Sequence, residues 1–322
     1  MSTPIGDKPQ IIEHASKSFA CTVFETRWIP QSARFVALGE YARGTGMLQI
    51  HGLSHGKVEQ LKESEKKDPF KCGTFGASTK EERHFATGDF SGRLSYWDLE
   101  HLELPLWTVA GHERIINCID GCGGLVGGGA PEIATGSRDG AVKIWDTRQS
   151  DTPVAQLVSS DGSGRDCWAV CFGNSIGGSD RVVAAGYDNG DIKLLDLRTG
   201  TLRWETNIKN GICSMQFDRP DIDMNKLVVT TLESKFLVYD MRTFHPRMYL
   251  CLYVLLFSLN TEKGYASLTQ SAHSSTCWIA RHLPQNRDVW MTTGGNGSLC
   301  LWKYQYPPQR WREDPSDHKK VI

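Results

Sequence analysis

The sequence predicts an all-β chain of repeated four-stranded antiparallel sheets set radially, a β-propeller. Three observations predict it. A strand–turn–strand unit recurs along the chain. An aromatic or other large residue closes each unit at spacings of 46, 48, 50, 44 and 63 residues, and the first four lie close to one four-stranded blade with loop variation. The 322 residues include 32 Gly and 10 Trp, a surplus of turn formers and large aromatics that fits many short strands rather than long helices.

Taken in order, the units are ALGEYARGTGMLQIHGL (37–53), ATGDFSGRLSYWDL (86–99), ATGSRDGAVKIWDT (134–147), AAGYDNGDIKLLDL (184–197), TTLESKFLVYDM (230–241) and TTGGNGSLCLWKY (292–304). Each has a small-residue strand end, a tight turn and an alternating apolar strand. The closing position holds His51, Trp97, Trp145, Leu195, Tyr239 and Trp302. Gly in the turn supplies positive φ, and the closing side chain packs between neighbouring sheets. One such sheet cannot bury both faces by itself. Radial stacking buries them and leaves only short edges. Six inner three-strand units follow, near 19–51, 70–97, 115–145, 166–195, 211–239 and 277–302.

Composition bounds the function. Lys and Arg number 36 against 37 Asp and Glu, a net charge of −1, so no global field steers the chain to nucleic acid or to an anionic membrane. The start, MSTPIGDKPQ, has no basic region followed by an apolar core and reads as no signal peptide. The longest apolar run, Met248–Leu259, falls short of the roughly 20 residues a spanning helix needs. The ten Cys show no Cys-x-x-Cys and no zinc spacing. They sit in apolar stretches and read as buried free thiols in a reducing cytoplasm.

No enzyme signature is present. Gly121–Gly129 is Gly-rich but lacks the Gly-Lys-Ser/Thr of a phosphate loop. There is no Gly-x-Ser-x-Gly and no His-Glu-x-x-His, and the acidic residues form no convergent pair. The reading is a non-catalytic chain with no cofactor and no metal site. Binding of proteins is the natural role, on a face built where first strands begin and where the turns before third strands lie. Alternation places Phe24, Lys71, Asn117, Trp168, Cys213 and Trp278 there from first strands, with Phe90, Arg138, Asp188 and Leu232 from turns. Large aromatics and Arg are the usual anchors of interfaces. Trp168 and Trp278 have a second reading, as fillers of the gaps between sheets.

The stretch Gly111-His112 … Ser137-Arg138-Asp139-Gly140 … Trp145-Asp146 resembles the WD-repeat signature. In that family a His, a Ser or Thr, the turn Asp and the Trp form a buried hydrogen-bonded chain, and the resemblance implies that role for His112, Asp139 and Trp145. The other units are degenerate: His273 with Asn296 and Trp302 is partial, and Asn189 with Leu195 lacks the Trp. Longer runs, PQIIEH, ARFVALGEYARGTG, KCGTFGAS, ATGDFSGRLSYWDLE, APEIATGSRDGAVKIWD, LRWETNIKNGICSMQFDR and RHLPQNRDVWMTTGGNGSLCLWKYQYP, closely resemble the family of WD repeat-containing protein 92, also called Monad. The resemblance implies a scaffold in cytoplasmic pre-assembly of axonemal dynein arms. Its implied partners are dynein chains as clients and a co-chaperone complex with RuvB-like ATPases and prefoldin-like subunits.

Two departures from that family stand out. Arg247–Glu262 intervenes where the family runs on directly. It reads either as an extended outer strand or as sequence that never evolved for this fold, and its uncharged β-prone run favours the second. After Trp302 the chain lacks a further blade's worth of family sequence, so the expectation is a seven-bladed type without its last blade. A gapped arc is favoured over a six-blade ring. The expected organisation is a 1–17 segment with an outer clasp strand at Ile11-Ile12, a propeller over 18–306 with 247–262 as an atypical insertion, and a charged, disordered tail over 307–322. A competing class rests on Arg148, Arg198 and Arg242, which follow Trp-Asp, Leu-Asp and Tyr-Asp pairs. These resemble the Trp-Asp-x-Arg box with which substrate receptors of cullin–RING ubiquitin ligases reach their adaptor. The alternative is a solvated Arg whose stem covers apolar surface.

Overall fold

The computed structural model describes residues 12–125, 128–149, 151–158, 164–177, 180–245, 264–305, 312–313 and 320–321. The chain divides into two compact units, 1–167 and 168–322. Both are all-β, and among the described residues no helix is long and apolar enough to cross a membrane.

The first unit holds three four-stranded antiparallel sheets with strands in chain order. Sheet one is β1 (Thr22–Trp28), β2 (Arg34–Glu40), β3 (Gly46–Ser54) and β4 (Lys57–Lys66). Sheet two is β5 (Phe70–Thr74), β6 (Phe85–Asp89), β7 (Arg93–Trp97) and β8 (Trp107–Ala110). Sheet three is β9 (Ile116–Cys122), β10 (Glu132–Ser137), β11 (Val142–Asp146) and β12 (Ala155–Leu157). Val36, Leu38, Leu48 and Ile50 of sheet one pack with Phe70, Phe85 and Trp97 of sheet two. The other face of sheet two, with Cys72, Ala86, Leu94 and Tyr96, packs with Ile116, Ile133 and Trp145 of sheet three. The two-faced burial read from the repeat is thus met within the unit. Second strands such as β6 are buried along their whole length, as continuous apolar or small runs require.

The second unit holds β13 (Cys167–Gly173), β14 (Val182–Tyr187), β15 (Asp191–Asp196) and β16 (Thr201–Asn207) in its first sheet. The next is β17 (Ile212–Phe217), β18 (Lys226–Thr231), β19 (Lys235–His245) and β20 (Gly264–Ser271). The last, β21 (Cys277–Leu283), β22 (Asn286–Gly294) and β23 (Leu299–Lys303), has three strands among the described residues. Val182, Ile192 and Leu194 pack with Ile212, Leu227, Val229 and Tyr239, and Val228 and Phe236 pack with Ala280 and Trp290.

One irregularity recurs. The register of first strand against second slips between Val23 and Glu25, between Phe70 and Cys72, between Ile212 and Ser214 and between Cys277 and Ile279. In sheet three Ile116 and Cys118 pair with Ser137 and Gly136, stepping over Asn117. Phe24, Lys71, Asn117, Cys213 and Trp278 are therefore bulge residues, and a bulge re-aims its side chain out of the pleat. The turn that follows each second strand needs positive φ. Gly92, Gly140, Gly190 and Gly297 supply it at 81°, 83°, 91° and 78°, and Ser234 holds that place at 56°.

Two readings of the sequence need amendment. Ile12 lies in no strand and is exposed. The described part of the leading segment instead follows sheet one, with the Phe19 ring edge-on to His51 at 5.1 Å. The apolar side of this short segment is satisfied by the sheet next to it in sequence; residues 1–11 lie outside the description. The tail read as disordered carries a short ladder between β24 (Arg312–Glu313) and β25 (Lys320–Val321), with Arg312 opposite Val321 and Glu313 opposite Lys320. The 247–262 insertion lies outside the described residues.

Candidate protein-binding face

The polar chain of sheet three is complete. Asp139 sits in the β10–β11 turn, where its carboxylate accepts the amides of Ala141 at 2.9 Å and Glu113 at 3.1 Å. His112 Nδ1 lies 3.1 Å from Asp139 Oδ2, and its Nε2 lies 2.8 Å from Thr135 Oγ1. Trp145 Nε1 donates to the same Oγ1 at 3.0 Å. With Nδ1–H directed to the carboxylate, Nε2 accepts the Thr135 hydroxyl and the hydroxyl oxygen accepts the indole. Each buried polar atom therefore has a partner. Burial alone would raise the Asp139 carboxyl. The bonds from His112 and from the amides of Ala141 and Glu113 outweigh burial and hold it well below the usual carboxylate range.

Thr135 is the member that the sequence reading left without a number. The signal was present. Where the closing residue is Trp97, Trp145 or Trp302, the second strand carries Thr87, Thr135 or Thr292, and the indole donates to it at 2.8, 3.0 and 2.9 Å. Where it is His51, Leu195 or Tyr239, the same register position is Ala37, Ala185 or Val229. The β21–β23 sheet keeps a variant: His273 Nε2 reaches Thr292 at 2.9 Å, while its Nδ1 meets the Ser298 hydroxyl at 2.6 Å, which in turn bonds Asn296 Oδ1. Burial lowers the His273 pKa, and a hydroxyl stands where sheet three has a carboxylate.

Of the residues read as a binding face, all but Trp168, which lies within β13, fall at bulges and turns. In the first unit, the Phe24 and Phe90 rings lie 5.4 Å apart, and Lys71 Nζ sits 4.4 Å from the centre of the Phe24 ring. Asn117 donates to the Cys167 carbonyl at 3.1 Å, and Arg138 pairs with Asp166 at 3.5 Å. In the second unit, Trp168 is 38% exposed, Leu232 46% and Trp278 47%, and Asp188 is exposed. The Trp278 indole nitrogen is close enough to Gly295 that a Cβ there would stand 3.1 Å from it. Cys213 is half-buried, and burial pushes its thiol up to about 12. The thiolate is the nucleophile, and burial disfavours it at Cys213.

The Arg residues of the second reading behave differently. Arg148 clasps Asp146 with Nε at 2.9 Å and Nη2 at 2.6 Å, and Arg242 clasps Asp240 at 3.0 and 2.8 Å. Arg198 meets Asp196 through its backbone amide at 2.9 Å. In two of the three boxes the guanidinium fork is folded back on its own sheet. Among the described residues no group of three or more His, Cys, Asp or Glu is placed to hold a metal ion.

Residues 103–146, which contain His112, Thr135, Asp139 and Trp145, match the family model described as WD domain, G-beta repeat. Over 316 residues the chain is 56% identical to dynein axonemal assembly factor 10 of Xenopus laevis, covering 98% of this chain and 84% of that protein. The chain belongs to the dynein axonemal assembly factor 10 family. Identity to the Homo sapiens member is 56% over 310 residues, covering 96% of this chain and 83% of that protein. To the Chlamydomonas reinhardtii member it is 50% over 311 residues, covering 96% and 83%. Among solved structures, a chain of the Crystal Structure of Mitotic Checkpoint Complex aligns with a TM-score of 0.68 at 14% identity, covering 93% of this chain and 83% of that one. At that identity the likeness shows the fold alone. Within this dynein axonemal assembly factor family the fold is the WD-repeat β-propeller. The polar chain of sheet three lies inside the matched repeat.

Proposed function

We propose that the chain is a non-catalytic scaffold in the cytoplasmic pre-assembly of axonemal dynein arms. It holds dynein chains as clients beside a co-chaperone complex with RuvB-like ATPases and prefoldin-like subunits, the role that the resemblance to WD repeat-containing protein 92 implies. The observation that carries the reading is 56% identity across 98% of the chain to a dynein axonemal assembly factor. The physical support is a surface that offers aromatic rings and cations at bulges and turns, the residue types that anchor protein interfaces. A scaffold of this kind acts by raising effective concentration, with no bond made or broken.

The test is rescue. Ciliated cells lacking their own family member are given this chain, and arm content of isolated axonemes is measured together with cross-linking mass spectrometry of the captured chain. Restored arms with cross-links to dynein chains and to the co-chaperone subunits are expected. Arms that stay absent while the chain is folded and abundant overturn the reading.

A further inference from the structure

The Phe24–Lys71–Phe90 cluster of the first unit has an unusual charge balance. Lys71 is half-buried in its bulge, and its ammonium rests on the Phe24 ring. Among the described residues no carboxylate lies within 4.0 Å of Nζ. The two nearest in sequence are engaged elsewhere. Glu25, beside Phe24, pairs with Arg27 at 3.1 Å. Asp89, beside Phe90, turns inward and accepts from the Ser91 amide, the Ser91 hydroxyl and the Arg93 amide at 2.9, 2.9 and 2.8 Å. A half-buried ammonium held by a ring alone has lost hydration and gained only a cation–π contact. Phe90 lies beside it with 37% of its surface open.

We propose that this cluster is a subsite for an acidic side chain followed closely by an apolar one, on an extended segment of a partner protein. The inference rests on the scaffold reading and names the chemistry of what one part of the scaffold holds. The partner's carboxylate meets Lys71 Nζ, and its neighbouring apolar side chain covers Phe90 and the edge of Phe24. Charge complementarity selects a single carboxylate rather than a phosphate chain. A nucleic-acid strand needs a row of cations along its backbone, whereas the cluster offers the single ammonium of Lys71 beside two apolar rings.

The test uses the purified full chain and fluorescence anisotropy. The probes are a labelled peptide GDEFDELG, its basic counterpart GKRFKRLG, its apolar-stripped counterpart GDESDESG, and labelled oligouridylate. Saturable binding of the first probe is expected, weakened about tenfold by Lys71→Glu and by Phe90→Ala, and retained by Lys71→Arg. Phe90 is an exposed turn residue, so Phe90→Ala keeps the fold if Lys71→Glu does not, and melting of each variant reports which is folded. Three results overturn the proposal: no saturation up to about 1 mM peptide, equal binding by folded Lys71→Glu and Phe90→Ala, or tighter binding of the basic peptide or the oligonucleotide. Arm rescue by a variant that has lost peptide binding removes this subsite and leaves the scaffold role standing.

Discussion

Thr135→Val keeps the shape of a fully buried side chain and removes one hydroxyl, which makes it the sharpest probe of how a single sheet is fixed. That hydroxyl serves two buried side chains, His112 Nε2 at 2.8 Å and Trp145 Nε1 at 3.0 Å, and also lies 3.2 Å from the Lys143 carbonyl; Trp145 is 2% exposed. The substitution strands an indole N–H and an imidazole nitrogen where water does not reach. Each stranded group costs about 1–3 kcal/mol, so the expected loss is about 2–6 kcal/mol. Thr87→Val strands only the Trp97 indole and should cost about half as much. Urea unfolding followed by Trp fluorescence at 25 °C reads both, as a shift of midpoint at constant slope. Adding Trp145→Phe to Thr135→Val removes the stranded donor, so the double variant should lose less than the two single losses combined. A Thr135→Val loss below about 0.5 kcal/mol, or one no larger than that of Thr87→Val, would refute the reasoning, since an undemanding surface change costs as little.

Three further outcomes are expected. At the β10–β11 turn, Gly140→Ala places a Cβ 2.6 Å from Gly164 Cα at φ +83° and should lower the melting temperature. Ser234→Gly relieves the one such turn position held by a residue with a Cβ, and should raise stability by up to about 1 kcal/mol; differential scanning calorimetry checks both. His282 is pushed down to about 4 by burial first and by Lys226 and Arg281 next, against Asp218. Between about 4 and 6.5 the unfolded chain holds the extra proton, so its contribution is complete above 6.5 and is lost as pH falls toward 4. The span is worth about 3 kcal/mol, seen as a steeper pH dependence of the urea midpoint than in His282→Gln. Arg148→Ala breaks an exposed pair with Asp146 and should leave the melting temperature unchanged, because solvent screens such pairs.

Much of this was legible in the sequence, because it repeats. Periodic spacing gave six sheets and their boundaries to within a few residues, and Gly at the turns foretold positive φ. His112, Asp139 and Trp145 were readable through the resemblance to the WD-repeat signature. Thr135 was readable from the pairing of Thr with Trp and of Ala or Val with the other closing residues. Alternation also picked out Phe24, Lys71, Asn117, Cys213 and Trp278, although nothing in it announced that these positions are bulges.

Linear order alone determined the strand content, the meander of each sheet and the family, since these depend on local pattern and on matched residues. Only the tertiary structure decided which side chains from different sheets meet. Phe24, Lys71 and Phe90 are spread over 66 residues of chain and come together because two bulges and a turn aim them at one place. It also decided that Arg148 and Arg242 fold back onto Asp146 and Asp240, and that Lys71 is left with a ring for company. Contacts of this kind depend on direction and distance in space, and a pattern of residue types carries neither.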